Sequence, residues 1–307
     1  QVQAYLADYA RSFGLMPAIQ LRTEVTAARY DAEAGLWRLS ARRHGNDGET
    51  EAIEDAFDFL VVANGIFSAP FIPDYPGAAD FIGAGGQICH TSEFNDVEPA
   101  RDRHLVVVGY GKSSCDVAES GVGVARSVTV VARHLTWKMP RFIGGINFKF
   151  FMLTRLGEGL FRYIRLRGFD RFLHGPGLPL RNFLLDRVER QIARQLRIEE
   201  AGLHPGRPFE TIARSTVSMV SRDFYEDART GRLAVKKGAE ITALRPGEAE
   251  LSTGETLPAD VIVCGTGWHQ DVPFLPRGVM KQVTDERGNF RLYQSMLPIG
   301  VPQLAFN

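Results

Sequence analysis

The sequence predicts an α/β protein built from two Rossmann-like dinucleotide-binding units, each a three-layer ββα arrangement. Two observations carry this reading. The glycine-rich turn Gly109-Tyr110-Gly111-Lys112-Ser113-Ser114 follows the apolar run Leu105-Val106-Val107-Val108 and opens a helix-like stretch, Ser113–Ser120. A repeat is also present: Asp58-Phe59-Leu60-Val61-Val62-Ala63-Asn64-Gly65 and Asp260-Val261-Ile262-Val263-Cys264-Gly265-Thr266-Gly267 both read Asp-x-x-Val-x-x-x-Gly. Each copy follows a strand meander, so each unit is expected to close with a meander and a final parallel strand.

The elements follow in order. Val2, Leu6, Tyr9 and Phe13 recur at helical spacing, with Gly14 as a C-terminal cap and Pro17 preventing continuation. Ile19–Tyr30, Leu36–Arg43 and Glu49–Phe57 read as strands, divided by Asp31–Gly35 and the polar turn His44–Gly48. They lead into the first buried strand, which ends at Asn64-Gly65. In the second unit, Gly109 permits a tight turn and Gly111 lets backbone N–H groups approach a pyrophosphate. The small Ser114 lets helix pack on strand, while Lys112 and Ser113 complete the turn. A second buried strand, Val128–Val131, ends near Arg133, 22 residues after Gly111. An acidic residue there would hold the ribose 2′-hydroxyl of NAD, whereas an arginine suits the 2′-phosphate of NADP(H). His134 and Lys138 stand close enough in sequence to share that phosphate. Ile241–Leu244, Glu248–Leu251 and the turn Ser252-Thr253-Gly254 form the second meander. The first unit's own glycine turn would precede Gln1, and Leu304–Asn307 reads as mid-strand, so the chain is expected to be a fragment.

Composition narrows the function. The 307 residues carry 36 basic and 36 acidic side chains, which argues against a general nucleic-acid binder. Cys89, Cys115 and Cys264 are scattered, with no C-x-x-C, so neither a disulfide framework, a dithiol redox pair nor a metal site is indicated. Buried reduced thiols in a cytoplasmic protein are the plain reading. No signal peptide or transmembrane run is evident. The segment 133–197 is different: it holds 14 Lys/Arg against 4 Asp/Glu, interleaved with Phe142, Phe148, Phe150, Phe151, Phe161, Tyr163, Phe169, Phe172 and Phe183. This fits either a solvated basic face over a helical insert or a peripheral contact with an anionic membrane.

These motifs resemble the flavin-containing monooxygenases, within the flavoprotein monooxygenases that also include Baeyer–Villiger enzymes. The family fingerprint F-x-G-x-x-x-H-x-x-x-[F/Y/W] is matched in its second half by Gly86, His90 and Phe94; Ala84 stands where its Phe belongs, and Phe81 lies three residues early. The second-site pattern G-x-G-x-S-x-x-D is matched by Gly109, Gly111, Ser113 and Asp116, and Arg133, Trp137 and Pro140 also correspond. Thr266-Gly267-Trp268 matches the closing A-T-G-[YW] element, with Gly265 replacing Ala.

The resemblance implies two cofactors, FAD and NADP(H). It implies residues 1–67 as the C-terminal part of an FAD-binding domain and 68–265 as an inserted NADP-binding domain with a helical insert at about 141–206. Residues 266–307 would return to the FAD domain. It assigns Trp137 to NADP, and Val25, Asn64, Gly65, Thr266 and Gly267 to FAD or the domain linker, with His90 gating or structural at the junction. The implied reaction inserts one atom of O2 into a small nucleophilic substrate at N or S, through a flavin C4a-hydroperoxide. Phe94 resembles the N- and S-oxidising branch; Baeyer–Villiger oxidation of a ketone, or a non-catalytic NADP-binding or membrane-associated module, are the alternatives.

Overall fold

The computed structural model describes residues 2–45, 48–65, 67–152, 154–161, 166–214, 218–286 and 288–307. Asn46 and Asp47 of the polar turn, and Tyr163, lie outside the described residues. The chain forms two compact units, Gln1–Pro70 with Trp268–Asn307, and Phe71–Gly267.

The first unit opens with α1 (Val2–Ser12), β1 (Thr23–Asp31), β2 (Leu36–His44), β3 (Thr50–Phe57) and β4 (Leu60–Val62). The second runs through α2 (Ala78–Gly83), β5 (Gln87–His90), β6 (His104–Val108), α3 (Lys112–Gly121), β7 (Ser127–Ala132) and β8 (Lys138–Met139). It continues with α4 (Leu178–Leu196), β9 (Ser218–Met219), α5 (Arg222–Arg229) and β10 (Ala234–Lys237). Its last strands are β11 (Ile241–Arg245), β12 (Glu248–Leu251), β13 (Thr256–Pro258) and β14 (Val261–Cys264). The chain then returns to the first unit for α6 (Arg277–Val283) and β15 (Leu304–Phe306).

In the first unit β1, β2 and β3 form an antiparallel meander, and β15 pairs parallel with β4. Trp37, fully buried, anchors the core with Ala28, Leu60, Val62, Leu304 and Phe306, and its indole N–H donates to the Pro302 carbonyl at 3.3 Å. The two repeat strands differ in burial. In β4, Val61 is exposed between buried Leu60 and Val62, whereas every residue of β14 is buried. The reason is coverage: β14 packs on both faces, Val261 and Val263 in one core and Ile262 and Cys264 in another, whereas β4 buries only the face of Leu60 and Val62.

The second unit is built on a five-stranded parallel sheet of order β10-β7-β6-β14-β5. Side chains alternate between its faces. Leu105 and Val107 of β6 join Cys115 and Ala118 of α3 in one core; Val106 joins Ile241, Leu251 and Leu257 of the β11–β13 meander in the other. These are the three layers of a Rossmann-like fold, as the residue pattern predicts. One segment differs. Gly86–Phe94, which carries the second half of the fingerprint and shows no element in its sequence pattern, contains β5, whose residues pair from Gln87↔Val261 to His90↔Cys264. Phe81 of α2 is fully buried with its ring against Gly86, where a Cβ would stand 2.4 Å from a ring carbon. An aromatic thus reaches this glycine from an earlier helix.

Packing is close where α3 meets the sheet. Gly109 has φ +109°, and a Cβ there would lie 2.5 Å from the Gly265 carbonyl oxygen. Ser114 is buried, and a Cβ on residue 265 would stand 2.0 Å from its Oγ. The Ser114 hydroxyl and the bare backbone of Gly265 therefore form one fitted pair. Gly265→Ala should destabilise the protein by about 1–3 kcal/mol through overpacking. Adding Ser114→Gly should recover most of that loss in urea denaturation, less the roughly 1 kcal/mol that glycine costs a helix. Strictly additive losses in the double variant would show that the two positions do not share the space.

Candidate dinucleotide cleft

The glycine turn and the N-terminus of α3 follow the carboxyl end of β6, beside that of β7. Parallel pairing sets Val108 opposite Val131, and the Gly109 N–H donates to the Val131 carbonyl at 2.8 Å, so the glycine turn and Arg133 emerge on the same end of the sheet. Gly111 caps α3 in an extended conformation, with no side chain bonded to the cap. The first N–H groups of α3 consequently have no partner inside the helix and point outward at the positive end of its dipole. Nothing lies within 4 Å of a Cβ position on Gly111. That open space is the room a phosphate needs. Ser113 is exposed beside it, and Lys112 reaches back to the Asp116 carboxylate at 2.5 Å.

A cleft of about 410 Å³ adjoins this turn, with Gly109, Tyr110, Arg133, His134, Glu240 and Thr266 on its walls. Arg133 is well exposed, its Nε 3.8 Å from the Glu240 carboxylate. Glu240 has no signature in the sequence, because only the fold brings the residue preceding β11 to the tip of β7. Thr266 donates its hydroxyl to the Phe71 carbonyl, and the Phe71 N–H donates to the Gly267 carbonyl at 3.0 Å, with Gly267 at φ +91°. Val25, Asn64 and Gly65 lie in the other unit. Val25 pairs with Ala41 just before a bulge in β1, the Asn64 side-chain amide donates to the Asp271 carbonyl at 3.3 Å, and Gly65 has φ +72°.

Two expectations for this cleft need correction. Lys138 does not share a phosphate with Arg133: it is fully buried, its ammonium donating to the Tyr110 carbonyl and to Ser218 Oγ. Trp137 is a core residue. Its indole N–H donates to the Arg207 carbonyl at 2.6 Å and its ring meets Phe209 edge-on, facing away from the cleft walls. Trp137 and the two residues of β8 that follow it are all buried, which spacing from Arg133 does not reveal.

His90 ends β5 and is 1% exposed. Its Nδ1 accepts the Ser92 N–H at 3.2 Å and lies 2.9 Å from Ser92 Oγ, while its own backbone N–H donates to Glu93 at 3.0 Å. An Nδ1 that accepts places the proton of a neutral ring on Nε2. The ring thus locks the turn after β5.

Burial pushes the Cys115 thiol up to about 11 and the Cys264 thiol likewise, so neither is a thiolate near neutrality. Among the described residues no group of three or more potential ligands could hold a metal, and no helix is long and apolar enough to cross a membrane. In the insert, Phe161 is buried, whereas Phe142, Phe150, Phe169, Phe172 and Phe183 are exposed, three of them beneath Arg141, Lys149 and Arg187.

Comparison with known proteins agrees with this geometry. A probable indole-3-pyruvate monooxygenase of Arabidopsis thaliana is 29% identical over 271 residues, covering 88% of this chain and 58% of the relative. The trimethylamine monooxygenase of Pelagibacter ubique is 36% identical over 131 residues, 42% of this chain and 28% of that protein. This chain thus spans less than two thirds of the length of these relatives. A cyclohexanone monooxygenase from Rhodococcus, solved with NADP+, shares the fold at a TM-score of 0.61 and 16% identity, over 99% of this chain and 63% of that one. The flavin-binding monooxygenase-like family matches residues 1–305, and the chain belongs to that family.

Proposed function

We propose that the protein is an FAD- and NADPH-dependent monooxygenase that oxidises nitrogen or sulfur centres of small molecules, with NADP(H) held along Gly109–Arg133. The carrying observation is that Gly109 and Tyr110 of the glycine turn line the same cleft as Arg133, with Gly111 and the α3 N-terminus next in the chain. The balance is one NADPH, one proton, one O2 and one substrate consumed, giving NADP+, water and the N- or S-oxide. The bound cofactors supply the hydride and the activation of O2. This chain's residues orient and enclose. The α3 N-terminus takes the pyrophosphate, Arg133 takes the 2′-phosphate bidentately, and Val25, Asn64, Gly65, Thr266 and Gly267 serve the flavin side and the linker. The N-oxidising reading draws support from Phe94 and from the trimethylamine monooxygenase relative. In the full-length enzyme with FAD and NADPH, a tertiary amine or a sulfide should yield the N-oxide or sulfoxide; a lactone from a cyclic ketone, with no amine or sulfide product, would favour the Baeyer–Villiger reading instead.

Three outcomes follow from this reading. Arg133→Ala should lower kcat/KM for NADPH roughly 10- to 150-fold, the worth of a hydrogen bond to a charged group, and leave NADH little changed. Equal losses for both nicotinamides would misplace the ribose. His90→Ala, by unlocking the turn after β5, should raise peroxide release per NADPH consumed while NADPH affinity holds; unchanged coupling would make His90 a packing residue only. The exposed phenylalanines and cations of the insert favour peripheral membrane contact as well. The protein should then cosediment with phosphatidylserine-containing vesicles and be released by high salt; no cosedimentation at low salt would leave the insert as a solvated face.

A further inference from the structure

Lys138 poses a question that dinucleotide binding through Gly109 and Gly111 does not answer. Its ammonium is fully buried, and desolvating a charge costs several kcal/mol unless the site repays it. The partners are specific. Nζ donates to the carbonyl of Tyr110, the middle residue of the Gly-x-Gly turn, and to Ser218 Oγ at 2.9 Å, and it lies 4.5 Å from the centre of the Tyr110 ring. Ser218 is held in place because β9 pairs with β8, Ser218 opposite Lys138.

The consequence lies in the geometry of one peptide plane. In a trans peptide the carbonyl and the following N–H point in opposite directions, and the described residues contain no cis bond. A Tyr110 carbonyl fixed inward on Lys138 therefore turns the Gly111 N–H outward. Were that carbonyl to face the cleft instead, its oxygen would oppose a phosphate.

We propose that Lys138 is the positioning residue of the pyrophosphate corner: from beneath the turn it fixes the Tyr110–Gly111 peptide so that the Gly111 N–H is presented to the phosphates of a dinucleotide. Its charge, shielded from water, adds to the field of the α3 N-terminus. Burial lowers the lysine's pKa, and the neighbouring Cys115 partly offsets this. This inference rests on the reading of Gly109–Arg133 as the NADP(H) site.

The test compares two probes by calorimetry on the full chain: NADP+, and 2′-AMP, which carries the adenosine phosphate but no pyrophosphate. Lys138→Met keeps the length and removes the donor and the charge. It should weaken NADP+ roughly tenfold or more, as for loss of a charged hydrogen bond, and leave 2′-AMP within about twofold. Equal weakening of both probes, or of neither, overturns the positioning role. Should Lys138→Met fail to fold by circular dichroism, Ser218→Ala decides: removing one anchor of the ammonium should weaken NADP+ more than 2′-AMP, and the absence of such a split overturns the proposal. If the unaltered chain binds neither probe, the NADP(H) reading falls, and this inference with it; binding of both by the unaltered chain with no split in the variants defeats the inference alone.

Discussion

The close approach of α3 to the carboxyl end of the parallel sheet is the constraint on which the site depends. Gly109 and Gly265 carry no Cβ because the backbone of one strand end and the Ser114 hydroxyl fill that space. This contact brings the unpaired N–H groups of the helix to the same edge as the tips of β6, β7 and β14. The family pattern places alanine where this chain has Gly265, and the structure supplies the compensation: a hydroxyl on the helix side has been accommodated by loss of a methyl on the strand side.

Around that contact the polar groups are arranged by depth. At the surface, Arg133 and Glu240 form a long, solvated pair of little energetic consequence on its own. Beneath the turn, Lys138, Tyr110 and Ser218 are closed off from water, and the Tyr110 and Tyr225 phenols are held well above their ordinary range by burial. In the helical part of the unit, Arg181 is nearly buried; it donates to the Leu160 carbonyl and pairs with Glu210, joining α4 to neighbouring segments. Buried cations of this kind are costly to leave unpaired, and each ties together segments far apart in sequence.

Much of this was legible in the residues. Strand-like stretches divided by polar turns gave the β1–β3 meander to within a few positions, the strand–glycine turn–helix pattern matched β6, the turn at Gly109 and α3, and the α/β class was matched as well. The failures share a cause. β5 has only the residues Gln87-Ile88-Cys89-His90, too short and too mixed to show alternation, and it exists because β14 offers it a partner. Trp137 and Lys138 follow Arg133 closely, but both are buried in the core, and periodicity has nothing to act on across so short a segment. Glu240 entered the cleft wall through a crossover that no local pattern encodes. Short segments take their structure from tertiary pairing, and functional loops are made largely of short segments.

Glu240 also bears on cofactor choice. In dinucleotide folds an acidic side chain near the tip of the second strand accepts from a ribose 2′-hydroxyl, whereas an arginine takes a 2′-phosphate. Here both line one cleft, Arg133 just past the end of β7 and Glu240 just before β11. A dianionic phosphate arriving between them meets attraction from Arg133 and repulsion from Glu240. Screening in this exposed place weakens both effects, but the arginine can add two directed hydrogen bonds that the carboxylate cannot oppose with any of its own. On the proposed reading of this cleft, directionality favours NADP(H), and Glu240 opposes the phosphate only through its charge.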